Sequence, residues 1–456
     1  MLNRSKTKNY GHSNKWRDYQ SKLKKKDATR RSYLRIPLYA AVLCVLILVG
    51  NGIFILLDKT LATQNKDYSI IFAEQVETLD KYTLQKIFNK IPFASASDKN
   101  FELTTGGKTY QIISSLDPFL QKFIIDHIDR KNSMHFGFVA MDPATGRILS
   151  MVSYDKNSKD ANICIIPDYP AASLFKIITA AAVIEKCGFN CNTPVTFNDN
   201  KYTLYKTQLK DRINKYTNQT TFEKSFADSV NPVFGKIGKN RLGKSTLVTY
   251  AAAFGFNQTF DFEIPLRPSI VSVSDDPYNW AEIASGFNNE TLISPLHGAL
   301  VVSSIVNNGK LIAPTIIDEI NKKNQVVYHR NSRDVSDIIN PNTAITLKKL
   351  MNATIVSGTA SKSFSRFKKD KILSKLNIGG KTGSINNNAQ HLKYDWFAGF
   401  AEEKNGSNKI VVSVLVVHQD YIGTRAASYS RMAIKEYFQN YYANINEQQE
   451  KKSAAL

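Results

Sequence analysis

PAASLFKIITAAAVIE, residues 170–185, places apolar side chains on every face of a helix that opens at Ser173 and runs to Lys186. Ile177, Ile178, Ala180, Ala181, Val183 and Ile184 leave no polar stripe, so this helix belongs inside the protein. Lys176 is the exception, and at spacing i, i+3 it stands one turn from Ser173 on the same face. An ammonium in apolar surroundings is costly unless it has a partner or a task. Desolvation also lowers the amine's pKa, which lets it take the Ser173 hydroxyl proton. The competing reading, a solvated lysine at a helix start, fits the flanking apolar residues less well. Ser-x-x-Lys occurs five times, starting at Ser5, Ser21, Ser153, Ser173 and Ser365, and only the one at Ser173 opens a buried helix.

Working outward, Phe136, Phe138 and Ala140 alternate with other residues, Asp142 to Gly146 supplies a turn, and Ile148 to Val152 follows as a second strand. Helical stretches continue through the 220s, 240s, 280s and 290s. Near the C-terminus Trp396 to Ala401 and Ile410 to Val417 predict a second hairpin turned at KNGSN, 404–408, and a last helix runs from Tyr429 to Ala443. Strands at both ends with helices between them predict an α/β fold whose sheet is closed by distant segments, with an inserted helical lobe. No internal repeat is present.

Two other short motifs follow. Ser229 and Asn231 precede Pro232 in FADSVNPVFGKIG, and taken alone they read better as a capping or turn sequence than as a site. Lys381, Thr382, Gly383 and Ser384 follow Gly379 and Gly380. Glycines in a strand admit a second backbone, as when a peptide adds along an edge, and a cation beside two hydroxyls suits a carboxylate. The alternative is a Gly-rich turn with a solvated lysine.

The formal charge is +21, and residues 1–35 hold 12 Lys/Arg against 2 Asp/Glu. Ile36 to Leu57, IPLYAAVLCVLILVGNGIFILL, is 22 residues without a formal charge, enough to cross a bilayer as a helix. The run is too long for a typical signal-peptide core, which favours an uncleaved anchor, and Val42 and Leu43 before Cys44 do not suit lipoprotein processing. The basic tail then stays in the cytoplasm and everything after Leu57 lies outside. No nucleic-acid-binding signature follows the tail, so it reads as a topology signal with contact to anionic lipid. Cys187 and Cys191 flank a helix end and suit either a short disulfide or free thiols. No metal pattern is present. Residues 58–107 read as a stalk with a small helix from Thr78 to Asn89, and Ser95 to Lys108 as a linker.

The order Ser-x-x-Lys, Ser-x-Asn, Lys-Thr-Gly turns three weak signals into a strong one, since it is the signature set of penicillin-binding proteins and active-site-serine β-lactamases. From about Tyr110 to Gln439 the chain resembles the transpeptidase domain of penicillin-binding proteins, through YQIISSLDPFLQKFI, FGFVAMDPATGRILSMVS, FEKSFADSVNPVFGKIG, ISPLHGALVVSSIVNNGKLIAPTIID, MNATIVSGTASKSF and DWFAGFA. The resemblance implies a penicillin-binding/serine β-lactamase-like fold, an antiparallel sheet flanked by helices plus an all-helical lobe, preceded by one transmembrane helix. It implies a D,D-transpeptidase without cofactor or metal, whose partners are peptidoglycan stem peptides, β-lactams, membrane lipid and cell-wall synthesis proteins such as a glycosyltransferase. Ser173 would attack the D-Ala–D-Ala carbonyl, Lys176 would act as base, and Ser229 would relay the proton with Asn231 fixing Lys176. Lys381, Thr382 and Ser384 would hold the terminal carboxylate, with Thr382, Gly383 and Ser384 as the substrate-binding stretch, and Ser173 and Ser384 N–H groups would form the oxyanion hole.

The implied organisation is a cytoplasmic tail over 1–35, a membrane helix over 36–57, a stalk over 58–107, a transpeptidase domain over 108–445 and a polar tail over 446–456. Gaps of 56 residues from Ser173 to Ser229 and 152 from Ser229 to Lys381 suit the larger transpeptidases, and the second is long for a β-lactamase. About 50 residues of stalk are too few for a glycosyltransferase domain. A D,D-carboxypeptidase differs only in the acceptor and stays open. A class D β-lactamase or β-lactam sensor is disfavoured by Asn231, and a non-catalytic scaffold by the intact motif set.

Overall fold

The computed structural model of the chain describes residues 79, 81–88, 93, 98–105, 107–158, 161–323, 325–330, 335–387 and 389–454. The expected membrane helix at 36–57 and the basic tail lie outside these residues, and among the described residues no helix is long and apolar enough to cross a membrane. The chain divides into two units, 1–76 with 105–107 and 77–104 with 108–456, and the second holds the architecture below.

Five strands, β1 (His135–Met141), β2 (Ile148–Asp155), β3 (Leu376–Asn387), β4 (Leu392–Glu403) and β5 (Lys409–His418), form an antiparallel sheet in the order β3-β4-β5-β1-β2. Both expected hairpins are present. The joint between the ends of the sequence is β5 against β1, with Val411 opposite Met141 and Val417 opposite His135. β5 reads KIVVSVLVVH and is buried at every position after Lys409, as a strand covered on both faces must be.

The helices are α1 (Lys81–Phe88), α2 (Pro118–His127), α3 (Lys176–Cys187), α4 (Phe222–Ala227), α5 (Asn231–Ile237), α6 (Gly243–Ala253), α7 (Pro277–Ser285), α8 (Pro295–Val306), α9 (Pro341–Val356) and α10 (Ala426–Ala454). One sheet face presents Phe136, Phe138, Val412 and Val414 to Leu120 and Ile124 of α2 and to Tyr429, Ala433 and Phe438 of α10. The other face meets α8, buried along its whole length, where Gly137 lies under Pro295 and Ser413 under Gly298. Helices α3, α5, α6 and α7 pack on one another as the helical lobe.

Three expectations change. Asn100–Thr105, inside the presumed linker, is a strand in a second sheet with Lys108–Ser114, Ile317–Lys322 and Gln325–His329. Its polar sequence misled because its exposure alternates, so it needs only one apolar face. Next, α10 continues to Ala454 through the supposed polar tail, whose Glu, Gln, Lys and Ala residues are good helix formers. The helix expected to start at Ser173 begins instead with a 3-10 turn, Ala172–Phe175, and becomes α-helical at Lys176. Cys187 and Cys191 are free thiols. The small helix of the stalk is present as α1, and Gln85 on it donates to the Phe262 carbonyl at 3.0 Å.

Candidate active site

β3 is the edge strand of the sheet, and the 3-10 turn Ala172–Phe175 packs against it. At that contact Gly383 has no side chain, so its Cα comes close to the Ala171 carbonyl and the Ala172 methyl; a Cβ there would lie 3.4 Å from each. Gly379 and Gly380 have a different use from the one expected: a Cβ on them would strike the rings of Phe400 and Phe397 on the neighbouring strand, so they make room for aromatic side chains. Behind the turn stands Gly286, which ends α7 in the left-handed conformation at φ 63. A Cβ on Gly286 would lie 1.8 Å from the Ala172 carbonyl oxygen. Ser173 is therefore held between the sheet edge and the end of α7.

Lys176 is fully buried one turn further on. Its Nζ donates to Ser173 Oγ at 2.9 Å, to Asn231 Oδ1 at 2.7 Å and to the Ser285 carbonyl. The Asn231 amide donates in turn to the Tyr202 carbonyl at 2.9 Å, which fixes which end of the amide faces the lysine. Asn231 opens α5 without capping it, so the capping reading fails for that side chain. Ser229 sits at φ 59, and its Oγ accepts from Lys381 Nζ at 2.9 Å; Lys381 also donates to the Thr382 carbonyl at 2.9 Å. Lys381 is fully buried too, so neither lysine is the solvated residue of the bland alternatives.

No carboxylate among the described residues pairs with either lysine. Their surroundings are carbonyls, hydroxyls, an amide and two aromatic faces, Phe234 at 5.6 Å from Lys176 Nζ and Phe226 at 5.6 Å from Lys381 Nζ. Burial first, and the charge on Lys381 second, hold the Lys176 amine well below the usual lysine range. Burial brings Lys381 down to about 7. A neutral Lys176 has two hydrogens, and Asn231 and the Ser285 carbonyl take both. Its lone pair then faces Ser173 Oγ, the geometry of a base aimed at a hydroxyl.

Thr382, Gly383 and Ser384 line a cleft of about 900 Å³ together with Ser173, Ser229 and Asn231. Thr382 Oγ1 contacts Thr359 Oγ1, and Ser384 is exposed to the cleft. Thus all eight residues singled out from the motifs gather in one place. Ser153 and Ser365 do not: the first lies on β2 and donates to the Ala161 carbonyl at 2.8 Å, and the second follows α9. The carbonyls of Ser285 and Tyr202 were not foreseen, since a backbone acceptor leaves no mark on residue identity. Thr359, in GTASKSF, was within a stretch already singled out but carried no motif of its own. Among the described residues no group of three or more His, Cys, Asp or Glu is arranged to hold a metal ion.

Residues 136–437 match the family model described as penicillin binding protein transpeptidase domain. Stage V sporulation protein D of Bacillus subtilis is 25% identical over 297 residues, covering 60% of this chain and 44% of the relative. Peptidoglycan D,D-transpeptidase PbpA of Mycolicibacterium smegmatis is 25% identical over 321 residues, covering 61% of each. The chain therefore spans less than two thirds of the length of these relatives. In fold it is similar to the crystal structure of the D,D-transpeptidase domain of a peptidoglycan glycosyltransferase from Eggerthella lenta, with TM-score 0.60 and 19% identity over 78% of this chain and 86% of that one.

Proposed function

The chain belongs to the family of penicillin-binding protein transpeptidase domains, and from that premise we propose that it is a peptidoglycan D,D-transpeptidase acylated at Ser173. The observation that carries this reading is Lys176, buried and without a carboxylate, hydrogen-bonded to Ser173, Asn231 and Ser285 at once. Ser173 Oγ attacks the carbonyl of the penultimate D-Ala while Lys176 takes its proton. The tetrahedral oxyanion is met by the N–H groups of Ser173, in the first turn of its helix, and of Ser384. The C–N bond then breaks, and the proton passes by way of Ser229 to the amine of the departing D-Ala. Lys381 and Thr382 hold the terminal carboxylate of that D-Ala, and Ser384 assists. An amine from a second stem attacks the ester, restores Ser173 and leaves a cross-link; water in its place gives a carboxypeptidase.

The proposal includes a single membrane helix at 36–57 with the catalytic domain outside the cell membrane, supported by the uncharged run behind a basic tail. Lipid contact and a separate glycan polymerase as partner go with it. The test is labelling of whole cells by fluorescent penicillin followed by fractionation. A covalently labelled band in the membrane fraction, absent in Ser173→Ala and soluble when residues 1–57 are removed, is expected. An unlabelled wild-type protein beside a labelled control transpeptidase overturns the acyl-enzyme reading, and a labelled but soluble full-length chain overturns the anchor.

A further inference from the structure

Beyond Ser384 the cleft leads to a cationic end that the acylation chemistry does not use. β3 is an edge strand, and in its register with β4 Ser384 stands opposite Asp395 and Asn386 opposite Lys393. Three segments meet there. The Asp395 carboxylate accepts from the Ala426 N–H at 3.0 Å, which ties β4 to the start of α10, and Ser428 Oγ donates to Ser363 Oγ at 3.2 Å, which ties α10 to the segment after α9. Lys362, Lys393 and Arg425 all line the cleft at this junction. Lys362 and Lys393 have no ion-pair partner among the described residues. Asp395 is the carboxylate at this end, and it is already engaged by Ala426, with Arg425 at 3.5 Å and the buried His418 at 3.7 Å. The other acid in the cleft wall, Asp228, is engaged by Lys201 at 3.3 Å and Lys224 at 3.1 Å.

The direction of a bound donor follows from the site itself. With the terminal carboxylate at Lys381 and Thr382 and the reacting carbonyl at Ser384, the rest of an extended peptide must continue past Ser384 toward Asn386. A strand advances about 3.3 Å per residue, so one to two residues of donor bring side chains to the register of Lys393.

We infer that Lys362, Lys393 and Arg425 form an anion subsite that takes a free side-chain carboxylate on the donor residue immediately before the D-Ala pair. This rests on the transpeptidase reading and names the stem class it prefers: acidic at that residue, in preference to amidated or amine-bearing stems. The full-length chain is assayed for D-Ala release from three peptides ending in D-Ala–D-Ala. They differ only in the preceding side chain: a carboxylate, its amide, or an amine of the same length. D-Ala release counts either fate of the acyl group. The expected order in kcat/KM is carboxylate, amide, amine, with roughly tenfold between the first two, the worth of a few exposed charge contacts. Lys393→Gln with Arg425→Gln brings the ratio toward one. Lys393→Glu with Arg425→Glu makes the amine peptide the best of the three, a reversal that a merely misfolded protein cannot produce. Equal rates for the three peptides in the wild-type protein, or a preference that survives the double Gln change, overturn the inference. Labelling by a penicillin with an uncharged acyl side chain separates the two readings. A labelled protein indifferent to the peptides loses the subsite alone, whereas an unlabelled one loses the proposed function and the subsite with it.

Discussion

Lys176 and Lys381 are two buried amines in one site with no acid among the described residues to neutralise either, and the pH dependence of acylation follows from that. Acylation needs Lys176 neutral, so its rate rises with pH as Lys176 loses its proton. Lys381 helps by keeping Lys176 low, and it titrates itself at about 7. Above that pH its hold on a ligand carboxylate weakens, so the wild-type rate of penicillin acylation falls again. In Lys381→Gln the second cause of the Lys176 shift disappears, so the Lys176 pKa rises toward the usual range and the ascending limb moves to higher pH. The descending limb is lost, and near neutrality the rate drops by about 10²-fold, the usual loss for one electrostatic contact to a reacting ligand. Stopped-flow acylation across pH measures this, and a variant profile that superimposes on the wild type after scaling refutes the coupling. These side chains were legible as a set because their types and order carry the chemistry. Their electrostatics were legible only in part: the apolar helix around Lys176 announced desolvation, but nothing near Lys381 in sequence announces that it is buried as deeply. Its neighbours include Phe226, 155 positions away.

At the scale of elements, Ser173 is placed by contacts between pieces that are far apart in sequence. The end of α7 supplies both the Ser285 carbonyl to Lys176 and the Gly286 surface against the Ala172 carbonyl. Gly286→Ala meets two penalties: a φ of 63, worth about 1 kcal/mol to a residue with a Cβ, and a methyl driven into backbone that no side-chain rotation can relieve. The 3-10 turn must give way, carrying the Ser173 N–H and Oγ with it. Expected are a loss of about 2–4 kcal/mol in stability and a fall of about 10²-fold in penicillin acylation, the cost of misplacing a reacting group by about 1 Å. Chemical denaturation and acylation rates read the two separately, and a variant within 0.5 kcal/mol of wild type, a threshold of about the size of ordinary surface changes, rules out the wedge. Gly286 gave no warning in the sequence, since a glycine ending a helix is ordinary and its second duty exists only in three dimensions. The same distinction explains the other elements. Hairpins and buried helices follow from local periodicity, whereas the 3-10 start at Ala172 and the strand Asn100–Thr105 depend on partners brought by the rest of the chain.

For the whole molecule, the sheet is completed by pairing residues 411–417 with 135–141 across the entire helical lobe. Such a contact can form only after a very long loop closes, so β5 joins late and its loss leaves an open edge on both β4 and β1. Every residue assigned to the acyl-enzyme chemistry precedes it, from Ser173 to Ser384. A chain ending at Asn408 therefore keeps all eight motif residues, the two lysines among them, yet loses β5 and α10, and with α10 the Tyr429, Ala433 and Phe438 side chains that cover this sheet face beside α2. If the sheet is what holds β3 against the nucleophile's turn, the truncated chain neither labels with fluorescent penicillin nor unfolds cooperatively. Adding residues 409–456 as a separate peptide during refolding restores a fraction of both. Labelling by the truncated chain alone at a rate comparable to the intact protein refutes that dependence, and would mean that the lobe and β3 assemble the site without a closed sheet.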